Sequence, residues 1–214
     1  MALLLSTFPS WLPAALGLLD VVDPEVMRPP DPIVACHERL ENSGVEFRKS
    51  RIPLHPNKSG DFTCGAPQVV RYERGPGDIS YGGSPQMACP LALAMAEWEL
   101  ILQEEAQAHL GSRVKRIKHV GTYNCRMMAA YEGWISEHSY ANGIDIKSFT
   151  LADGRVVPIK DTYFEDTPEG QFLRAMSKRA YEEVFNVVVT PATPDGLHEM
   201  HLHFDMAHYT FDGS

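Results

Sequence analysis

Residues 198-HEMHLHFDMAH-208 hold four of the chain's nine histidines within eleven positions. Met200, Leu202, Phe204 and Met206 are apolar, and Glu199, His201, His203 and Asp205 stand between them. Period-two alternation is the signature of a β-strand with one face buried. A solvated His-rich tail has no reason to space Met, Leu, Phe and Met in this way. On such a strand His201 and His203 share a face, roughly 6.5–7 Å apart. Two imidazoles placed so are half of a metal site, and the other half must come from elsewhere in the chain.

The surroundings of that strand fit one α+β domain of mostly antiparallel strands. Ile33–Ser43 reads as a short helix ended by Gly44. Residues 45–86 are rich in turn residues, with short strands such as 66-APQVVRYE-73 between them. The clearest helix is 89-CPLALAMAEWELILQEEAQAHLG-111. Pro90 suits its first turn, Gly111 its end, and Leu91, Met95, Trp98 and Leu102 form a core-facing stripe. A strand follows at 113-RVKRIKHVGTY-123, and 142-NGIDIKSFTLADGRVVPI-159 reads as a hairpin turning at Ala152–Gly154. Thr167 caps a second amphipathic helix, and 186-NVVVTP-191 is a short buried strand.

The 214 residues allow one domain with a real core, over 33–214, preceded by an apolar and Pro-rich segment, 1–32. That segment is uncharged up to Asp20. It reads either as the apolar region of an export signal, with small residues at Ala14, Ala15 and Gly17, or as an arm packed on the domain. Pro9 and Pro13 interrupt it and no basic stretch precedes it, so it is too short and broken for a transmembrane span. The net charge of −9 excludes an electrostatic binder of nucleic acid or of anionic membrane.

Four cysteines, none in a CxxC pair, argue against a four-thiolate zinc site. They fit two disulfides in an oxidising compartment, or four buried thiols in a reducing one. The sequential pairing Cys36–Cys64 and Cys89–Cys125 closes short loops and is the expected one. Each bridge would contribute roughly 3–4 kcal/mol by chain entropy.

The other half of the metal site lies in 134-WISEHSYANGIDIKSF-149. Asp145 alternates with Ile144 and Ile146, so it projects from the face opposite the core. His138 sits in the small-residue loop just before. A third ligand from another strand would complete three protein ligands and leave a position for water, the pattern of a catalytic zinc. His201, on the same strand face as His203, is the candidate proton acceptor. His198 and Asp205 are candidates for orienting the ligands. Ser136 reads as a turn residue, since no Gly-x-Ser-x-Gly elbow accompanies it. His37, His55, His109, His119 and His208 read as structural or exposed.

The stretch 136-SEHSYANGID-145 resembles the first zinc motif of the hedgehog/D-Ala-D-Ala peptidase fold, Ser-x-His-x-x-Gly-x-Ala-x-Asp. Ser136, His138 and Asp145 are in register, with Ala141 where Gly is usual and Gly143 where Ala is usual. His201-Leu202-His203 resembles the His-x-His motif of its lysostaphin and murein endopeptidase branch. Together 89-CPLALAMAEW-98, 121-GTYNCR-126, 136-SEHSYANGIDI-146 and 198-HEMHLHFD-205 resemble the extensin-like C-terminal family, from about Cys64 to Phe211.

The resemblance implies one Zn²⁺ held by His138, Asp145 and His203, with His201 in catalysis and Arg126 stabilising charge on the scissile carbonyl. It also implies peptidoglycan or muropeptide as substrate, D-amino-acid peptide bonds as target, and a periplasmic or extracellular home. The rival from another class is a non-catalytic zinc-binding cell-wall module. A facial-triad iron oxygenase built on His203-Phe204-Asp205 lacks a persuasive downstream histidine, and a cupin lacks the glutamate that should follow His-x-His.

Overall fold

A computed structural model describes residues 32–129 and 131–214. The expectation for the N-terminal segment, export signal or packed arm, lies outside the described residues apart from the start of the first helix. Helix α1 spans Pro32–Asn42 and ends at Gly44, whose φ of 71° suits glycine. A three-stranded sheet follows, ordered β1 (Glu46–Pro56), β2 (Thr63–Arg74) and β3 (Gln86–Ala88), antiparallel throughout. Its first two strands are 11 and 12 residues long, far more regular than the turn-rich composition suggests. The long β1–β2 pairing absorbs its irregularities as register shifts, one between Ser50 and Ile52 and another between Ile52 and His55.

Helix α2 (Cys89–Leu110) runs between this sheet and the rest of the molecule. It is apolar on most of its circumference, and Leu91, Met95, Trp98 and Leu102 are fully buried. Pro90 lies in its first turn and Gly111 closes it at φ 62°. Trp98 is the centre of the core. Its ring lies 5.3 Å from that of Phe204, 6.2 Å from Phe185 and 6.3 Å from Phe149. Those three rings come from three separate segments of the chain, so one side chain ties them together.

The second sheet has six strands: β4 (Val114–Gly121), β5 (Gly143–Leu151), β8 (Leu202–Asp205), β7 (Val187–Val189) and β9 (Phe211–Gly213) in that order, with β6 (Val156–Pro158) pairing β5. Every pairing is antiparallel except β7 with β9. Helix α3 (Pro168–Glu183), capped by the Thr167 side chain accepting from the Gly170 amide, packs on α2. The result is the expected α+β architecture.

Two expectations need correction. The histidine strand is shorter than its alternation implies: β8 begins at Leu202, and Met200 is exposed. The cause is competition for one sheet edge. Ile146 pairs with Leu202, so Met200 would have to pair with Ser148, but Ser148 is already paired with Pro158 of β6. His201 therefore stands just before the strand.

The disulfides join Cys36 to Cys89 and Cys64 to Cys125, not the sequential pairs. Their Cα atoms lie 6.0 and 5.7 Å apart, within bridging range. Loop length did not choose the partners. Cys36 on α1 packs beside the first residue of α2, whereas Cys64 enters β2 next to the segment that follows β4.

Candidate metal centre

Strand β5 sits between β4 and β8, and its pleat sorts the site from the core. Ile144 and Ile146 are fully buried, and Asp145 projects from the other face. The register sets Asp145 directly opposite His203 of β8. His138 arrives from a short 3-10 helix, Glu137–Tyr140, started by Ser136, whose hydroxyl accepts from the His138 amide. Ser136 is thus the turn residue expected of it. Ala141 closes that helix in the left-handed region at φ 55°, a conformation glycine adopts more readily. At Gly143 a Cβ would come within 3.0 Å of His203 Cε1, so glycine there lets the imidazole lie against β5.

Three atoms converge on one point. His138 Nε2 is 3.1 Å from Asp145 Oδ1, His203 Nδ1 is 2.9 Å from the same oxygen, and the two nitrogens are 3.1 Å apart. Ligands of a tetrahedral zinc ion with bonds of ~2.0–2.1 Å stand about 3.3–3.4 Å from one another, so a slight expansion seats the ion. The far side of each ring supports this reading. His203 Nε2 is held by Asp205 Oδ2 at 2.8 Å, and His138 Nδ1 faces the Thr122 carbonyl at 3.3 Å. Each acceptor takes the proton of the outer nitrogen and leaves a lone pair aimed at the shared point. His138, Asp145 and His203 can therefore hold a metal ion.

The electrostatics agree. Burial alone would raise the Asp145 pKa, but its hydrogen bonds with His138 and His203 outweigh this and hold the carboxyl well below the usual carboxylate range. Burial alone would lower that of His203, but the Asp145 and Asp205 carboxylates overturn it and push the imidazole up to about 9. The pocket stabilises positive charge, so a proton and a metal ion held there would compete for it.

His201 lies beside the triad, its Nε2 3.7 Å from Asp145 Oδ1. Burial pushes its pKa down, so it is a neutral base near pH 7. His198 makes its hydrogen bond to Asp195 at 2.6 Å rather than to a metal ligand, and its ring centroid is 4.8 Å from that of His201. Asp195 fixes Nδ1 as the donor and leaves Nε2 as a second base in the cleft. Asp205, by contrast, accepts from the outer nitrogen of His203, one of the three residues that can hold an ion. Arg126 lines the same cleft. Its guanidinium donates only to the Met127 carbonyl, with no carboxylate in ion-pair range among the described residues. The cleft has a volume of about 650 Å³ and opens over Asp145, His201 and His203.

Sequence reasoning missed Asp195, Thr122, Glu137 and the aromatic wall of the cleft. Asp195 had a signal: an Asp-Gly turn three residues before a histidine lets the carboxylate reach both the Leu197 amide and the imidazole. Thr122 acts through its backbone carbonyl, which no side-chain pattern reveals.

Fold and site define an α+β domain in which Asp145 and His203 of the second sheet meet His138 of the 3-10 helix at the foot of an open cleft, where the three can hold a metal ion. The chain matches the family model described as extensin-like protein C-terminus over residues 34–213, and it belongs to that family. No curated protein and no solved structure matches it.

Proposed function

We propose that this protein is a zinc-dependent hydrolase of amide bonds in bacterial peptidoglycan, acting as a D,D-endopeptidase or carboxypeptidase in the cell envelope. The observation that carries the reading is a neutral base, His201, set beside a three-ligand cation site that faces a substrate-sized cleft. The likeness of residues 136–145 and 201–203 to the two zinc motifs of hedgehog/D-Ala-D-Ala peptidases supports it. The two disulfides fit an oxidising compartment, and no helix among the described residues is long and apolar enough to cross a membrane.

The donor set of two imidazoles and one carboxylate suits zinc. When bound there, zinc supplies Lewis-acid activation of water and of the scissile carbonyl. His138, Asp145 and His203 hold it, while Asp205 and the Thr122 carbonyl keep the two rings oriented. His201 takes the proton of the attacking water and returns it to the leaving amine. Asp195 keeps the neighbouring His198 in one tautomer, available to share that proton. Arg126, free of an internal carboxylate, donates to the carbonyl oxygen as it gains charge.

Mass spectrometry of cross-linked muropeptides incubated with the zinc-loaded protein tests this. A new amine and carboxylate at one D-amino-acid bond is the expected result. His201→Ala should keep zinc and lose turnover by about 10²–10⁴-fold, whereas His203→Ala should lose both. Zinc bound at one per chain with no bond cut in any muropeptide would replace the hydrolase by a zinc-holding wall module.

A further inference from the structure

Beside the metal site, residues 127–129 and 131–135 run back alongside each other. Met127 bridges Ile135, the Met128 amide donates to the Trp134 carbonyl at 2.8 Å, and Gly133 turns the chain at φ 81°. This small hairpin carries Tyr131 and Trp134 into the wall of the cleft, where they remain 51% and 53% exposed. Trp134 meets Tyr209 edge to face, with centroids 5.3 Å apart and planes at 89°. Such a contact fixes the pair while covering at most one face of one ring. Aromatic surface held rigid and left in water beside a reactive centre calls for a ligand.

Three kinds of group stack on such a wall: a nucleobase, an apolar side chain and the C–H face of a sugar ring. Charge argues against the first. Glu137, Asp145, Asp195 and Asp205 line the cleft against Arg126, an arrangement that repels a polyanion. Shape argues against the second, because an apolar side chain gains most from a closed pocket, and here the rings stand half in solvent. A pyranose has one apolar face and a rim of hydroxyls. It matches a half-wet wall on which the Tyr131 hydroxyl and Thr210 stand near the rings.

We propose that Tyr131, Trp134 and Tyr209 form a subsite for a neutral N-acetylated amino sugar, so that the protein takes its peptide while still attached to the glycan strand. The bond-cutting half of this statement rests on the function proposed above. The N-acetyl identity of the sugar rests on it too, whereas the stacking of a pyranose on the wall does not.

Chitotetraose, a neutral β-1,4-linked N-acetylglucosamine tetramer, is the probe, titrated calorimetrically into the full chain. Saturable binding is expected in the wild type, with or without EDTA, because the wall does not use the cation. Trp134→Ala should weaken it about fivefold or more, while Trp134→Phe should retain most of it. The Trp134 ring is exposed, so its loss should leave the thermal midpoint near the wild-type value. Absence of binding at millimolar sugar, or equal binding by Trp134→Ala, overturns the subsite. Sugar binding that depends on Trp134 in a protein that cuts no muropeptide would keep the subsite and remove the hydrolase. Equal cleavage of free and glycan-linked peptides without sugar binding would do the reverse.

Discussion

At the scale of single residues, Asp205 shows how much of a metal site lies outside its ligands. Its side chain is buried, with Oδ2 on His203 Nε2 at 2.8 Å and Oδ1 accepting from the Ala207 amide at 2.9 Å. It therefore chooses which nitrogen of His203 carries the proton and braces the ring from behind. Asp205→Asn keeps the volume but provides one acceptor where two are needed. Zinc affinity should fall about 10–100-fold, measured by competition with a chromophoric chelator. An unchanged affinity would reduce Asp205 to a turn-forming residue. The placement of Asp145 was legible in the sequence, because a carboxylate alternating with two isoleucines has only one face left to occupy. Ala141 and Gly143 were legible only as small residues. The structure gives each a reason: a left-handed turn at one, and the pressure of the His203 ring at the other.

Among the elements, helix α2 was the easiest to read and still concealed a charge. Glu99 is fully buried, and its carboxylate accepts from Tyr81 at 2.6 Å, Tyr72 at 3.0 Å and the Gly77 amide at 2.8 Å. Burial pushes its pKa up, and the three hydrogen bonds only partly restore it. The native state thus holds this proton more tightly than the unfolded chain, whose glutamates titrate near ~4.3. The stabilisation is complete below that pH and is lost as pH rises through the folded value. Glu99→Gln puts an N–H₂, which cannot accept, where the protonated carboxyl keeps a hydroxyl oxygen that can, costing about 1–3 kcal/mol at low pH. Denaturant unfolding at a series of pH values should show the gap to wild type shrinking as pH rises above about 4.3. A gap that stays constant or widens would mean that Glu99 folds already ionised. Hydrophobic periodicity marks where an element lies, but it does not report competition between elements. The alternation at Met200 is real, yet β6 had already taken the edge it needed. In β1 and β2, turn residues became strand because each lends the other a long ladder of partners, interrupted only at its register shifts.

For the molecule as a whole, the pairing of the cysteines was the feature least accessible from sequence, since it depends on where distant elements meet. The two bridges close loops of 53 and 61 residues, and each should stabilise the fold by about 4 kcal/mol through chain entropy. Similar in stability, they differ in what they brace. Cys36–Cys89 ties α1 to the start of α2. Cys64–Cys125 anchors the segment between β4 and the 3-10 helix, where the Asn124 amide donates to the His138 carbonyl at 3.0 Å and the Arg126 amide to Ser139 Oγ at 3.0 Å. That segment positions both the first histidine ligand and the cleft arginine. The paired serine variants should therefore lose similar unfolding free energy in excess EDTA. Only Cys64→Ser/Cys125→Ser should also weaken zinc binding, by about tenfold or more if the ligand shell loosens as it does when an orienting partner is removed. Peptide mapping without reduction checks the pairing itself. Equal zinc affinity in both variants would show that the 3-10 helix holds His138 in place without its covalent brace.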